Sequence, residues 1–577
     1  MAARASVRLV ELRVLEGPNL YFTRPAIKLT LSVPGWLAAD ERRAARIAAR
    51  VRLRGAARPG APKSEQRRRF VARLTAHVTR SLAEATGTRL GVRSRPGHER
   101  DQVVVAYPWR RRAAAEALGA EAADLLGVLL RARRSFRVLV SERAGPLSKV
   151  EPGPGPSVLA PDFPVVAVTG TNGKTTTVRL LAHLIGGAGR SVAYTSTDGV
   201  YVDGRLVEEG DYSGPSGAEM ALAQPGVEAA VLEVARGGIL LKGMGTAHND
   251  VAVVTNVSAD HLGLHGVFTV DQLAEVKATI TRITRPDGWC VLNADDPRVL
   301  AMRRVARGRP FLFSMDPDHP ALRTVLGERG RAMAPIDGWL ALLRPGRSID
   351  PMIRLEEVPV TLAGISSNHV QNAMAATAAA LGVGVGRDDV VRGLRTFVLD
   401  PDRNPGRANL FELDRRIVVI DYAHNEAGMH GLVEICRGLR APGAKVWIAY
   451  GSAGDRSEEI MHALGYVAAR RADHVAVVEL HRYLRGRDPG DVVERLRAGA
   501  LDGGAARVPD FPDEISGLRW MLDRSGETDV LAITALAQRR EIFDMLMERG
   551  AQRVTPSRCR QLVRRARGAA LTAAARG

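Results

Sequence analysis

From residue 165 onward, short apolar runs alternate with longer mixed segments. VVAVTG, SVAYTS, AAVLEVA, DVAVVTNV and WCVLNA are short and apolar, so each reads as a strand. The stretches between them read as helices. This alternation predicts a mostly parallel sheet with helices on both faces. Ligands bind such sheets at the loops following the carboxyl ends of the strands. A second set of runs, RIVVIDYA, KVWIAYG and HVAVVEL, begins near Pro405 and predicts a smaller open α/β sheet. Ahead of residue 150 the pattern changes. Candidate strands Val7–Val14, Gln102–Tyr107 and Ser135–Val140 are mixed there with long Ala/Arg-rich helical segments. The tail beyond Gly550 is again Arg/Ala-rich and reads as a helix with a frayed end.

The run VEPGPGPSVLAPDFP is the clearest boundary, since proline and glycine break both kinds of element. It sets an N-terminal α+β domain over 1–150, a linker over 151–164, a central domain over 165–400 and a C-terminal domain over 401–577. A chain of 577 residues has room for about three or four domains. No apolar run reaches the roughly 18 residues that a membrane span needs. MAARASVRLVELRVLEG lacks the apolar block of a signal peptide. Cys290, Cys436 and Cys559 are far apart and offer no C-x-x-C metal pair. The expectation is a cytoplasmic protein with no membrane partner.

Charge separates the first domain from the rest. Residues 1–150 hold 31 Lys+Arg against 12 Asp+Glu, which is the whole net charge of +19; the remaining chain has 51 of each sign. Clusters such as Arg67–Arg69 and Arg110–Arg112 suit an anionic partner: an acidic peptide, a polymer or nucleic acid. The alternative is a general arginine richness on solvated helix faces, since only 7 of the 82 basic residues are Lys.

PVVAVTGTNGKTTTVR carries the most specific chemistry. An apolar strand runs into the loop Gly170, Thr171, Asn172, Gly173, followed by Lys174, Thr175, Thr176 and a helix. Glycines let successive N–H groups curl toward one centre, and the opening helix adds its positive end. Lys174 can neutralise the outer phosphates of a nucleotide triphosphate, and the Thr175 hydroxyl can ligate Mg²⁺. ATP binding follows. Glu233, at the end of the strand in LEVARGG, is placed to hold magnesium against the phosphates, because magnesium takes hard oxygen ligands. TNVSADHLGLHG puts His261 and His265 beside Asp260 in another strand-end loop and favours His261 as a second metal ligand. Lys277, in DQLAEVKATI, stands out on an amphipathic helix because lysine is rare outside the basic module.

The loop has two residues between its glycines, where the commonest phosphate loop has four. In this it resembles the Mur ligases, which make amide bonds through an acyl phosphate. LEVARGG, TNVSADHLGLHG, EVKATI, LNADDP, QNAMAA, PGRANLFE, DYAHNEAG and GDR follow the Mur order. STDGVYVDG, GDYSGP, VLEVARGGIL, NPGRANLF, LRGRDPG and the early RVLEGPNLYFTRPAI are similar to the N-terminal domain and Mur-like half of cyanophycin synthetases. Those enzymes carry an ATP-grasp domain between the two, where this chain has only the short linker.

The resemblance implies a P-loop parallel-sheet central domain and a Rossmann-like C-terminal domain. It makes Lys174, Lys277, His261 and Glu233 catalytic, with Thr175, Glu233 and His261 as metal ligands. Lys277 matches a lysine that many Mur ligases carbamylate. Asn372 would contact adenine, Asp421 the ribose and Arg407 the phosphate side. Asp211, Ser213, His424, Asp455 and Arg456 become candidate substrate contacts. The cofactors implied are ATP and Mg²⁺, the substrates a carboxylate and an amine or amino acid. An acidic peptide or polymer would be held by the N-terminal domain, and a homo-oligomer is compatible with all of this. Cyanophycin synthetases tend to have arginines shortly after GPxSA-type wording, where this chain has Ser216 and Glu219. Two other readings stand beside the ligase: an amidating enzyme fed by a glutaminase partner, and a basic nucleic-acid-binding protein with a residual nucleotide site. A folate polyglutamylating enzyme would leave the basic module without a place.

Overall fold

The apolar runs from VVAVTG to WCVLNA become strands in the computed structural model, which describes residues 7–53, 58–131, 133–260 and 262–574. The chain divides into two units. The first comprises Met1–Asp162 with the segments Tyr212–Leu222 and Val234–His248; the second comprises Phe163–Asp211, Ala223–Glu233 and Asn249–Gly577.

In the first unit, β1 (Arg8–Leu15), β2 (Ala26–Ser32), β3 (Arg93–Pro96) and β4 (Gln102–Pro108) form an antiparallel sheet in the order β1-β2-β4-β3. Helix Glu65–Ala85 buries Phe70, Leu74 and Val78, one face at four-residue spacing, in one core with Ile27, Leu29 and Leu31 of β2. The segment Val234–His248 is tied to residues 16–18. Glu16 N donates to the Lys242 carbonyl at 2.8 Å and Met244 N to that of Pro18 at 2.7 Å. A Cβ on Gly17 would lie 1.9 Å from the Met244 carbonyl oxygen, so only glycine fits there.

Two sequence expectations for this unit fail. Ser135–Val140 is not a strand; Phe136–Ser148 is a helix burying Leu139, Val140, Ala144 and Leu147. The apolar start SFRVLV has a strand-like composition, but the buried positions continue at helical spacing beyond it. Arg67 is not part of an exposed basic cluster. It is fully buried and donates to the carbonyls of Trp36, Ala39, Pro59 and Gly60.

The second unit holds two sheets. The larger contains β5 (Val165–Thr169), β6 (Val192–Ser196), β7 (Gly199–Val202), β8 (Arg205–Glu209), β9 (Ala229–Glu233), β10 (Asn249–Val254), β11 (Thr284–Asn293), β12 (Arg309–Phe313), β13 (Arg331–Ile336), β14 (Trp339–Leu343) and β15 (Asp350–Arg354). Its order is β15-β14-β13-β12-β11-β10-β5-β9-β6-β7-β8. From β13 to β6 all pairs are parallel, and an antiparallel hairpin closes each end. The smaller sheet contains β16 (Asn409–Leu413), β17 (Arg416–Asp421), β18 (Val446–Tyr450), β19 (His474–Val478), β20 (Asp510–Phe511), β21 (Val530–Thr534) and β22 (Gln552–Arg553), in the order β20-β19-β18-β21-β17-β16-β22. It is parallel from β20 to β17, with β16 antiparallel to both neighbours. Its middle strand, β21, lies in the run VLAIT, which the sequence reading did not single out.

Candidate active site

β5 is buried along its whole length and lies between β9 and β10, while the chain continues to β6 on the far side of β9. That reversal is where open parallel sheets bind ligands. It brings three strand-end segments together: the loop Gly170–Gly173, Glu233 at the end of β9, and Thr255–Asn256 after β10.

Side chains hold the loop by its carbonyls. Lys277 Nζ donates to Gly170 O at 2.6 Å, Lys174 Nζ to Thr171 O at 3.0 Å, and Thr255 Oγ1 to Asn172 O at 2.7 Å. Asn256 adds its Nδ2 to Asn172 O and accepts from Asn172 N at 2.8 Å. Gly173 has φ +84°, and a Cβ there would lie 2.2 Å from Asn372 Oδ1. The helix Lys174–Gly186 then opens with no side-chain cap on its first turn among the described residues. An uncapped first turn after a tied-back glycine loop is a binding place for phosphate.

Thr175 Oγ1 donates to Glu233 Oε2 at 2.9 Å. Glu233 is 2% exposed, and its Oε1 has no hydrogen-bond partner among the described residues. Burial pushes its carboxyl above the ordinary glutamate range, with Lys174 and Thr175 pulling the other way. A hydroxyl beside a carboxylate with a bare, buried oxygen is a hard-oxygen donor pair of the kind magnesium takes, so the residues present fit that ion. His261, the expected partner ligand, lies outside the described residues.

Lys277 is 4% exposed at the end of helix Val270–Lys277. Thr176 accepts from Asn404 Nδ2 at 3.2 Å, and Asn372, on helix Ser367–Gly382, accepts from Thr177 Oγ1 at 3.4 Å. Arg407 stacks its guanidinium 4.3 Å from the centre of the Tyr422 ring. Asp421, ending β17, accepts from Ala408 N at 2.8 Å; burial raises its carboxyl, against the pull of Arg407.

The expected substrate residues divide. His424 Nδ1 donates to the Tyr422 carbonyl at 2.9 Å, leaving Nε2 3.9 Å from Asp260 Oδ2. Arg456, 8% exposed, places Nη1 3.2 Å from Asp260 Oδ1, so Asp260 joins two of the five candidates. Asp455 lies 3.6 Å from Arg485. Asp211 belongs to the second unit and weighs on Glu233 as a like charge. Ser213 belongs to the first unit, where its carbonyl accepts from Ala235 N at 2.8 Å.

Two residues at the site escaped the sequence reading. Asn425 and Asn172 exchange reciprocal amide hydrogen bonds at 3.1 and 3.0 Å, although DYAHNEAG had singled out the neighbouring histidine. His369, three residues before Asn372, is 7% exposed, and its Nδ1 has no hydrogen-bond partner among the described residues; burial, then Arg407, lower it to about 4. The helical spacing to Asn372 was the available signal.

Comparison with known proteins identifies the family. Residues 168–380 match the Mur ligase middle domain and residues 406–535 the Mur ligase glutamate ligase domain. The chain belongs to the Mur ligase family. Within it, the chain is 38% identical to the cyanophycin synthetase of Crocosphaera subtropica over 71% of its own length and 47% of that protein. It is 38% identical to that of Synechocystis over 66% and 43%. The UDP-N-acetylmuramoyl-L-alanyl-D-glutamate–2,6-diaminopimelate ligase of Chlorobaculum tepidum is 26% identical over 64% of this chain and 70% of its own. The chain thus spans less than half the length of the cyanophycin synthetases it matches. A bifunctional folylpolyglutamate synthase/dihydrofolate synthase solved with Mn, AMPPNP and L-glutamate shares the fold (18% identity, TM-score 0.51, 67% of this chain and 90% of that one). Among the described residues no helix is long and apolar enough to cross a membrane.

Proposed function

We propose that this chain is an ATP-dependent ligase that joins a carboxylate, on a peptide or small metabolite, to an amine or amino acid. The γ-phosphate passes to the carboxylate, and the amine then displaces phosphate from the acyl phosphate, leaving an amide, ADP and phosphate. The observation that carries this reading is the Thr175–Glu233 pair, with one carboxylate oxygen unpartnered and the adjoining helix start uncapped among the described residues. Thr175, Glu233 and, by the family pattern, His261 would hold magnesium, whose charge would offset repulsion between the carboxylate and the phosphates. Lys174 leaves the Thr171 carbonyl to meet the phosphates. By the family pattern, Asn372 and Asp421 would contact base and ribose, Arg407 the phosphate side, and Asp211, His424, Asp455 and Arg456 the joining substrates.

The carbamylation of Lys277 belongs to this reading. A carbamate keeps one N–H on Nζ, so the bond to Gly170 survives while the positive charge becomes negative. The acceptor is best matched to the basic residues 1–150: an acidic peptide, drawn by their net charge of +19.

The test is ADP release by the purified protein across a panel of amino acids and acidic peptides. Release requires a divalent cation and a carboxylate acceptor, and Lys174→Ala lowers it by about 10²-fold or more. AMP and pyrophosphate as products would exclude the acyl-phosphate route.

A further inference from the structure

Two arginines from distant parts of the second unit converge on one carboxylate. Asp198 sits in the turn between β6 and β7. Arg179, in the phosphate-loop helix and 5% exposed, donates Nη2 to Asp198 Oδ2 at 2.8 Å. Arg539, at the start of helix Arg539–Glu548, donates Nη2 to Asp198 Oδ1 at 3.0 Å. Burial alone would raise the Asp198 carboxyl, but Arg539, Arg179 and Arg407 outweigh it and hold the group below the usual carboxylate range.

Each arginine uses its other arm on the segment that joins the two sheets. Arg179 Nη1 donates to the Arg403 carbonyl at 2.8 Å, and Arg539 Nη1 to that of Pro405 at 3.3 Å. The same segment is pinned by Asn404, fully buried against Thr176, and by Ala408 N on Asp421. Arg407 lies between these anchors. The root of Arg539 is fixed in turn. Glu514, fully buried, accepts from the N–H groups of Leu536, Ala537 and Gln538 and so shapes the loop that leads to it.

We propose that Asp198 is a positioning residue: by gathering Arg179 and Arg539 it immobilises residues 403–408 and sets where Arg407 stands. Only the catalytic consequence rests on the ligase reading above. A shared carboxylate couples its two partners, so losing either arm should free the segment, and losing both should add little.

The experiment compares the full chain with Asp198→Asn, Arg539→Ala and the double variant. Hydrogen exchange of the segment 403–408 is read beside kcat and KM for ATP. Each single variant is expected to speed exchange there about tenfold, with the double no faster than the faster single. The kcat for acceptor-dependent ADP release should fall about tenfold or more while KM for ATP stays within about threefold. Arg539→Lys should recover part of the loss and, being a mild change, also serves if Asp198→Asn does not fold. Unchanged exchange in the singles, or effects that multiply in the double, would overturn the proposal. Faster exchange with an unaltered kcat would overturn it as well. If the parent chain releases no ADP with any acceptor, the ligase reading is what fails, and the exchange measurements still decide whether Asp198 holds the segment.

Discussion

His369 is a neutral imidazole held where it cannot easily take a proton. Its folded pKa, about 4, lies below the ordinary 6.5, so between those values the unfolded chain binds the extra proton. Its contribution to stability is therefore present above pH 6.5 and lost as pH falls toward 4. Wild type should lose on the order of 2 kcal/mol more than His369→Leu across that window, read as a pH-dependent change in the difference between their thermal midpoints. A constant gap would show that His369 titrates normally. Lys277 is also buried, and is tied to a loop carbonyl. Lys277→Ala leaves Gly170 O without that donor, at a cost of about 1–3 kcal/mol, and activity should return in part with acetate if the native residue is a carbamate. An intact mass without the added carbamate, and no rescue, would mean a plain lysine. Such residues were unequally legible. Lys277 stood out because lysine is scarce here, whereas Arg67 looked like surface charge because burial depends on which carbonyls fold around it.

At the level of elements, one asparagine does two jobs. Asn425 caps helix Glu426–Leu439 by accepting from Gly428 N at 2.9 Å, and it also grips Asn172 in the phosphate loop. Asn425→Ser keeps a cap but loses the grip; Asn425→Ala loses both. The Ala variant should be about 1 kcal/mol less stable than the Ser variant, while both weaken nucleotide binding alike, as a titration with ATP would show. Equal thermal midpoints would remove the capping role. The capping asparagine could be read from its place before an apolar helix, but its second bond could not, since Asn172 lies 253 residues away. Most strands of the parallel core were legible for the opposite reason: buried on both faces, they are continuous apolar runs, although β21 was passed over. The helix Phe136–Ser148 was misread because its first turn has strand-like composition and its helical face shows only over the full length.

For the whole molecule, the uneven charge and the division into units bear on the same question. Deleting residues 1–150 looks like the direct test of the basic module. However, Val234–His248 is bonded to residues 16–18, so the cut would strip the backbone partners of Lys242 and Met244. Neutralising exposed arginines is the cleaner approach. Arg110→Gln, Arg111→Gln, Arg133→Gln and Arg137→Gln together should raise KM for an acidic acceptor and flatten its dependence on salt, since surface fields act over roughly 8 Å at physiological ionic strength. KM for ATP should not move. An unchanged acceptor KM at low salt would favour general arginine richness over recruitment.

The interleaving of the two units also orders events during synthesis. The first unit is complete only when His248 has emerged, by which time β5, β6 and β9 of the second already exist as nascent chain. A ribosome making this protein therefore exposes the N-terminal body before its last backbone partners exist, unlike domains strung end to end. The apolar core of this unit lies wholly within residues 7–147, but the backbone groups of Glu16 and Pro18 wait for Lys242 and Met244, encoded far downstream. A pause in translation just before Tyr212 or Val234 would then be the moment of greatest exposure for this chain.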